Sequence, residues 1–254
     1  MASKFPARER ICALNTNKPA DGEYVLYWMQ QSQRAEENHA LEFAIQQANE
    51  LNQPLIVCFG LTSDYPEANL RHYAFMIDGL RDAAKTLAER GIRFVVRHMS
   101  PPEIALELGC AASAIVCDTG YLRHQKDWRL QVAEDAACQV FQVEADVIVP
   151  VAEASDKSES AARTLRPKLM RQLDRFTPVL RKTEPTRPST DIPIKSIDIF
   201  DDEALLGPLA IDSSVPPVPL YKGGTTAARK LLSRFINRHL DKYAGNRNQP
   251  QTDD

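Results

Sequence analysis

Two charged residues sit where an α/β chain can do chemistry. Arg34 follows the first long apolar run and Asp118 ends the fourth. A guanidinium in that place can hold an anion or stack on a flat polar ligand, and it can equally be a plain surface arginine. A carboxylate there can accept a ligand hydrogen bond or cap the helix that follows. Four loops surround them: Gln30–Arg34, Thr62–Asn69, Met99–Pro102 and Asp118–Arg123. Open parallel sheets bind ligands in such loops, beyond the carboxyl ends of the strands where the strand order reverses. A further cluster, Lys157, Arg163, Arg166 and Lys168, reads first as a solvated basic face, and second as the rim of a ligand site or an interdomain contact.

The common catalytic patterns are missing. No GxxxxGK[ST] loop can cradle phosphate, and QQSQR stands where a GxGxxG turn would approach a pyrophosphate. There is no GxSxG elbow and no HExxH pair. His39, His72, His98, His124 and His239 are scattered and read as surface or packing residues. The five cysteines are odd in number and none has CxxC spacing, so buried reduced thiols in a cytoplasmic protein are expected, and no metal site. No residue is assigned a catalytic role.

These loops need elements to hold them. Tyr24–Met29 is continuously apolar, as suits a strand covered on both faces. Residues 35–52 carry Leu41, Ala44, Ile45, Ala48 and Leu51 at helical spacing until Pro54 breaks the pattern. Leu55–Leu61 is a second strand. A long helix over 67–90 stops at Gly91. Ile92–His98 is a third strand, and Pro101 and Pro102 open a short helix through Leu108. Ala114–Cys117 and Gln139–Val143 are the fourth and fifth strands, with a helix over Arg123–Ala137 between them, and Val147–Val151 is a short apolar piece. Strands alternating with helices predict a doubly wound, Rossmann-like α/β fold with a five-stranded, mainly parallel sheet.

Five segments follow from this pattern. Residues 1–21 form a polar, irregular extension and 22–176 the α/β domain, the latter closing with a helix over 160–176 that Pro167 can kink. Residues 177–222 hold eight prolines and little periodicity, which predicts a long extended linker. Residues 223–244 hold Gly223-Gly224 and then a helix over Thr225–Tyr243, and 245–254 a disordered tail. The last helix carries an apolar stripe of Ala228, Leu231, Leu232, Phe235, Ile236 and Leu240. It either folds back on the α/β domain or packs on a second domain, and left bare it is an association liability.

Composition is that of an ordinary globular chain: 254 residues, 43% hydrophobic, 26% charged, net charge -3. That charge exerts no global pull on nucleic acid. Its distribution is uneven, since residues 1–155 hold 14 Lys and Arg against 21 Asp and Glu, while 156–190 hold 9 against 4. No secretory h-region is visible and no apolar run approaches the ~20 residues of a membrane span.

Five blocks carry a resemblance. YWMQQSQRAEENHALEFA (27–44), FGLTSDYPEANLRHYAFMIDGL (59–80), VCDTGYLRHQKDWR (116–129), VEADVIVPVAEASDKSESAARTLRPKL (143–169) and KGGTTAARKLLSRFINRHLDKYAGNRNQP (222–250) occur in order. Together they resemble class II cyclobutane pyrimidine dimer DNA photolyases over residues 22–250. The resemblance implies light-driven repair of pyrimidine dimers by a reduced FAD, with an α/β domain that carries an antenna pigment, often a deazaflavin. It implies antenna contacts at Met29, Gln33, Arg34, Asp118 and Arg123, and packing roles for Trp28 and Trp128. The family continues after RN-x-P into a serine-rich, SPYLHFG-like helical segment, whereas this sequence reads QTDD. The expectation is therefore an N-terminal, antenna-bearing part of a photolyase, without the FAD-binding half. It would meet dimer-containing DNA only through that half, which a complementing polypeptide would supply. The alternative is a stand-alone pigment- or nucleotide-binding α/β module without catalysis.

Overall fold

A computed structural model describes residues 7–249. The sheet has six strands: β1 (Ile11–Ala13), β2 (Tyr24–Trp28), β3 (Leu55–Gly60), β4 (Arg93–Arg97), β5 (Ala112–Asp118) and β6 (Gln139–Val143). Their order is β1-β6-β5-β2-β3-β4. All pairings are parallel except β1 with β6. The helices are α1 (His39–Glu50), α2 (Leu70–Glu89), α3 (Pro101–Gly109), α4 (Arg123–Asp135), α5 (Val151–Ala154), α6 (Ala162–Phe176), α7 (Asp202–Leu206), α8 (Thr225–Arg238) and α9 (Tyr243–Asn246).

Every residue of β2, β3 and β5 is buried, which is why these strands read as unbroken apolar runs. Alternate side chains build two cores. Val25, Tyr27 and Met29 face α1 and α2 on one side. Tyr24, Leu26 and Trp28 face α3 and α4 on the other. The fold is thus doubly wound, with one strand more than the sequence pattern indicates. That strand, β1, lies in the stretch read as irregular: three residues on a sheet edge show no period of their own. The apolar piece before α5 adds no strand, because Val151 opens a short helix.

Residues 177–222 lie along the body rather than apart from it. Ser189 N–H donates to the Gly91 carbonyl at 2.8 Å, and its hydroxyl accepts from Arg93 N–H at 2.7 Å. Ser196 Oγ accepts from Val96 N–H at 3.0 Å. The outer edge of β4 is therefore covered by two hydroxyl groups and by Ile197 N–H, which donates to the Val96 carbonyl at 2.8 Å, and not by another strand. Ile199 and Leu205 bury their side chains in the α1–α2 core. A buried Arg90–Glu42 ion pair at 2.8 Å joins the end of α2 to α1, and the segment is tied to it through Thr183. Arg90 also donates to the carbonyls of Ala35 and Thr183, and Glu42 accepts from Thr183 N–H.

The first turn of α8 is seated on α2. A Cβ on Gly223 would lie 2.0 Å from the Phe75 carbonyl oxygen, so only glycine allows this approach. Asp82 accepts from Thr226 N–H at 2.8 Å and from its hydroxyl at 2.7 Å, acting as a cap from another helix. Beyond this foot the stripe is open, with Leu231, Leu232 and Ile236 all more than half exposed. The final residues of the expected tail, 250–254, and residues 1–6 of the expected extension lie outside the described residues.

His39 opens α1, and burial, with Arg10 and Arg34 nearby, pushes its pKa down from 6.5 to about 4. The native state keeps this ring neutral while the unfolded chain takes up a proton below its ordinary value. Stability complete above pH 6.5 is therefore lost as pH falls toward 4. Between about pH 7.5 and about pH 4.5, the wild type should lose roughly 1–2 kcal/mol more than His39→Gln, after discounting for partial exposure. Urea titrations at the two pH values test this, and parallel losses in both proteins would remove His39 as the cause.

Candidate functional site

The strand order reverses between β2 and β5, and the chain spends most of its buried polar groups there. Asp118, fully buried at the end of β5, accepts from Gln30 N–H at 2.9 Å and from Ser32 N–H. Burial outweighs these donors and holds its carboxyl above the usual carboxylate range. Ser32 Oγ in turn donates to Asp146. Asn38 caps α1 through Ala40 and Leu41 N–H, and its amide donates to the Tyr27 hydroxyl and the carbonyls of Ser32 and Arg34. The loop after β2 is thus clamped from β5, from α1 and from the segment after β6.

Beside this clamp lies a cavity of about 470 Å³. Met29, Gln30, Gln31 and Gln33 form one wall, from the loop after β2. Thr62, Tyr65, Pro66, Glu67 and Ala68 form another, from the loop after β3. His72, Tyr73 and Met76 of α2 and Gln125 and Trp128 of α4 complete it, over a base of Phe59, Gly60 and Pro101. The volume is that of a small-molecule site, largely apolar with a few polar groups.

The walls are braced. Gln125 Nε2 donates to Gln31 Oε1 at 2.8 Å and to the Tyr65 hydroxyl at 3.4 Å, bridging all three walls. The Tyr73 hydroxyl donates to the Thr62 carbonyl at 2.7 Å. Tyr65, His124 and Trp128 pack edge to face, with centroids 4.9 Å apart for Tyr65–His124 and His124–Trp128. Arg129, buried, donates to the Gly120 and Gln125 carbonyls and fixes the start of α4. Glu67 holds φ at 60°, a left-handed backbone in the cavity wall. A Cβ on Gly60 would meet Met99 O at 2.9 Å and Pro101 Cα at 3.0 Å. Gly60→Ala should therefore cost about 1–3 kcal/mol by forcing the β4–α3 turn away from the cavity base. A thermal melt equal to that of the wild type would show that the turn yields freely.

The expected contact residues fall into two groups. Met29 and Gln33 line the cavity. Asp118 lies behind it, shaping the loop. Arg34 turns away, donating to Asp146 at 3.2 Å, to the Ala145 carbonyl at 2.8 Å and to the Glu37 carbonyl. Arg123 is exposed at the start of α4 and is not part of the lining. Trp28 is fully buried in the core, whereas Trp128 is a cavity wall. Positions 125 and 128 project toward the strand ends, while 132 and 133 pack on the sheet. Helical spacing within α4 was the available signal. Gln30 and Tyr65 gave none beyond their place in the loops.

Of the basic cluster, Lys168 pairs with Glu159 at 2.6 Å and with Ser155 at 2.8 Å, away from the cavity. All five cysteines are free thiols. Among the described residues no helix is long and apolar enough to cross a membrane, and no His, Cys, Asp or Glu cluster suits a metal ion.

Comparison with known proteins finds relatives over most of the chain. A deoxyribodipyrimidine photo-lyase from Methanothermobacter thermautotrophicus is 44% identical over 245 residues, covering 95% of this chain and 54% of the relative. One from Potorous tridactylus is 30% identical over 97% of this chain and 46% of the relative. The chain spans about half the length of these curated relatives. Among solved structures, an archaeal photolyase from Sulfolobus tokodaii with two FAD molecules superposes with TM-score 0.62 at 17% identity, over 82% of this chain and 45% of that one. A class III photolyase from Agrobacterium tumefaciens gives TM-score 0.60 at 16% identity, over 86% of this chain and 45% of that one. The DNA photolyase sequence profile matches residues 25–189, and on that match the chain belongs to the DNA photolyase family.

Proposed function

We propose that this chain is the pigment-holding part of a class II cyclobutane pyrimidine dimer photolyase. The observation that carries the reading is the switch-point cavity, with its flat aromatic walls, its glutamine amides and its lack of lysine and arginine among the described lining residues. A deazaflavin-type ring suits those walls. The fit rests on the Gln30 carboxamide, buried with neither heteroatom bonded to a protein group. Met29, Phe59, Tyr65 and Trp128 would sandwich the ring, and Gln30 would meet its polar edge. Once bound, such a pigment absorbs light and passes the excitation to a catalytic flavin. The chain's own residues hold the ring at a fixed orientation and keep water from its faces.

In this reading, dimer splitting belongs to a helical FAD-binding half that also grips the DNA. That half is either continuous with this sequence or supplied by a second polypeptide. The alternative, a stand-alone nucleotide-binding module, is disfavoured by a lining that carries the Glu67 carboxylate and, among the described residues, no lysine or arginine to pair with phosphate.

A fluorescence titration with a deazariboflavin tests the proposal. Saturable, one-to-one binding with quenching of both ring and tryptophan emission is expected. A flat titration would overturn it. The 254-residue protein alone should not repair dimer-containing DNA under blue light, and full repair by it would refute the division of labour.

A further inference from the structure

We propose that Gln30 is the specificity-determining residue of the cavity and that it reads the N–H and C=O edge of a lactam on a flat, uncharged heterocycle. The inference rests on the pigment-site reading and goes beyond it by naming the chemical edge that is recognised. Gln30 is 8% exposed. Its backbone is fully engaged: its N–H donates to Asp118 at 2.9 Å and its carbonyl accepts from Gln33 Nε2 at 2.9 Å. Its side chain is the reverse, since Oε1 and Nε2 are both buried and neither meets a protein partner. An amide in that condition costs free energy until something pairs with it.

The other glutamines of the wall are differently placed. Gln31 and Gln125 bond to each other, and Gln33 is turned onto the Gln30 carbonyl. Gln30 alone keeps a donor and an acceptor both unpaired, and since both are enclosed, a turn of the side chain is what brings them to a ring in the cavity it lines. A carboxamide in that state complements one group above others, a ring C(=O)–N–H, which supplies the acceptor and donor in matching order. Its position cannot drift, because the backbone is clamped by a buried carboxylate. Charge selection agrees. With Glu67 as the lining carboxylate and no lining cation among the described residues, the ring is uncharged and any phosphate lies outside.

Lumiflavin and N3-methyllumiflavin are the probes, differing only in that a methyl group replaces the lactam N–H hydrogen in the second. The wild type should bind lumiflavin roughly 10- to 100-fold more tightly, the range for leaving one buried polar group unpaired. In Gln30→Met that ratio should collapse to about one, by loss of affinity for lumiflavin. The two-ring lactam 6-methylpterin should show the same dependence on Gln30, and FMN should bind no more tightly than lumiflavin. A second readout needs no ligand: free Gln30→Met should melt no lower than the wild type, because the lost amide had no partner. A ratio unchanged in Gln30→Met, or a marked fall in its melting temperature, would overturn the inference. Equal binding of both rings by the wild type would overturn it while leaving the pigment site standing. Failure of every ring to bind would remove both.

Discussion

Arg90→Ala should lower the unfolding free energy by about 3–5 kcal/mol, the largest effect expected of any single substitution in this fold. The guanidinium and the Glu42 carboxylate are 1% and 4% exposed. Removing one leaves the other charged, buried and unpaired. The loss spreads beyond the pair, since the Ala35 and Thr183 carbonyls lose their donor as well. Those carbonyls belong to the loop before α1 and to the proline-rich segment, so three parts of the chain loosen together. A double variant, Glu42→Leu with Arg90→Met, removes both charges at similar volume. It should recover most of the stability, because buried ion pairs contribute little over well-packed apolar side chains. Urea unfolding of the wild type, both singles and the double closes the cycle. A double variant as weak as the sum of the singles would mean that the pair acts through packing alone.

Asp118→Asn should be nearly as damaging as Asp118→Ala, despite its close match in size. The carboxylate offers an acceptor to each of two backbone N–H groups, those of Gln30 and Ser32. An asparagine offers one acceptor and sets an NH₂ against the other donor. Each change should cost about 2–4 kcal/mol, from leaving buried donors unpaired. Binding should suffer too, because the released loop carries Gln30, Gln31 and Gln33 into the wall. Deazariboflavin affinity should fall at least about tenfold, in line with a loss of ~1.4 kcal/mol of positioning. Chemical unfolding and the fluorescence titration measure the two effects independently. Asparagine binding the ring as tightly as the wild type would assign Asp118 to the fold and not to the cavity.

Much of this architecture was legible because its cause is local and repetitive. A strand covered on both faces has nothing but apolar neighbours, so Tyr24–Trp28 and Leu55–Gly60 announced themselves. Gly91 marked the end of α2 for an equally local reason, a left-handed residue after the last turn. What escaped notice depends on partners far along the chain. Ile11–Ala13 is a strand because Val143–Phe141 lies beside it. The site divides in the same way. The loops were identifiable from strand ends, and Met29 and Gln33 with them. Arg34 has the composition of a ligand contact, yet Asp146 and Ala145, more than a hundred positions away, take its donors. Trp128 reads as packing from its type, and only the crossing of α4 over the strand ends turns it into a wall.

The hydroxyl cover on β4 bears on how the molecule tolerates damage. Ser189 and Ser196 occupy the hydrogen-bonding positions that a foreign strand would need. They belong to a length of chain with no repeating structure to re-zip it if it peels away. A protease that nicks between them would leave the core intact and uncap a template for strand addition. The first symptom of such a cut would be sticking of one folded copy to another along that margin, well before any loss of helix or sheet.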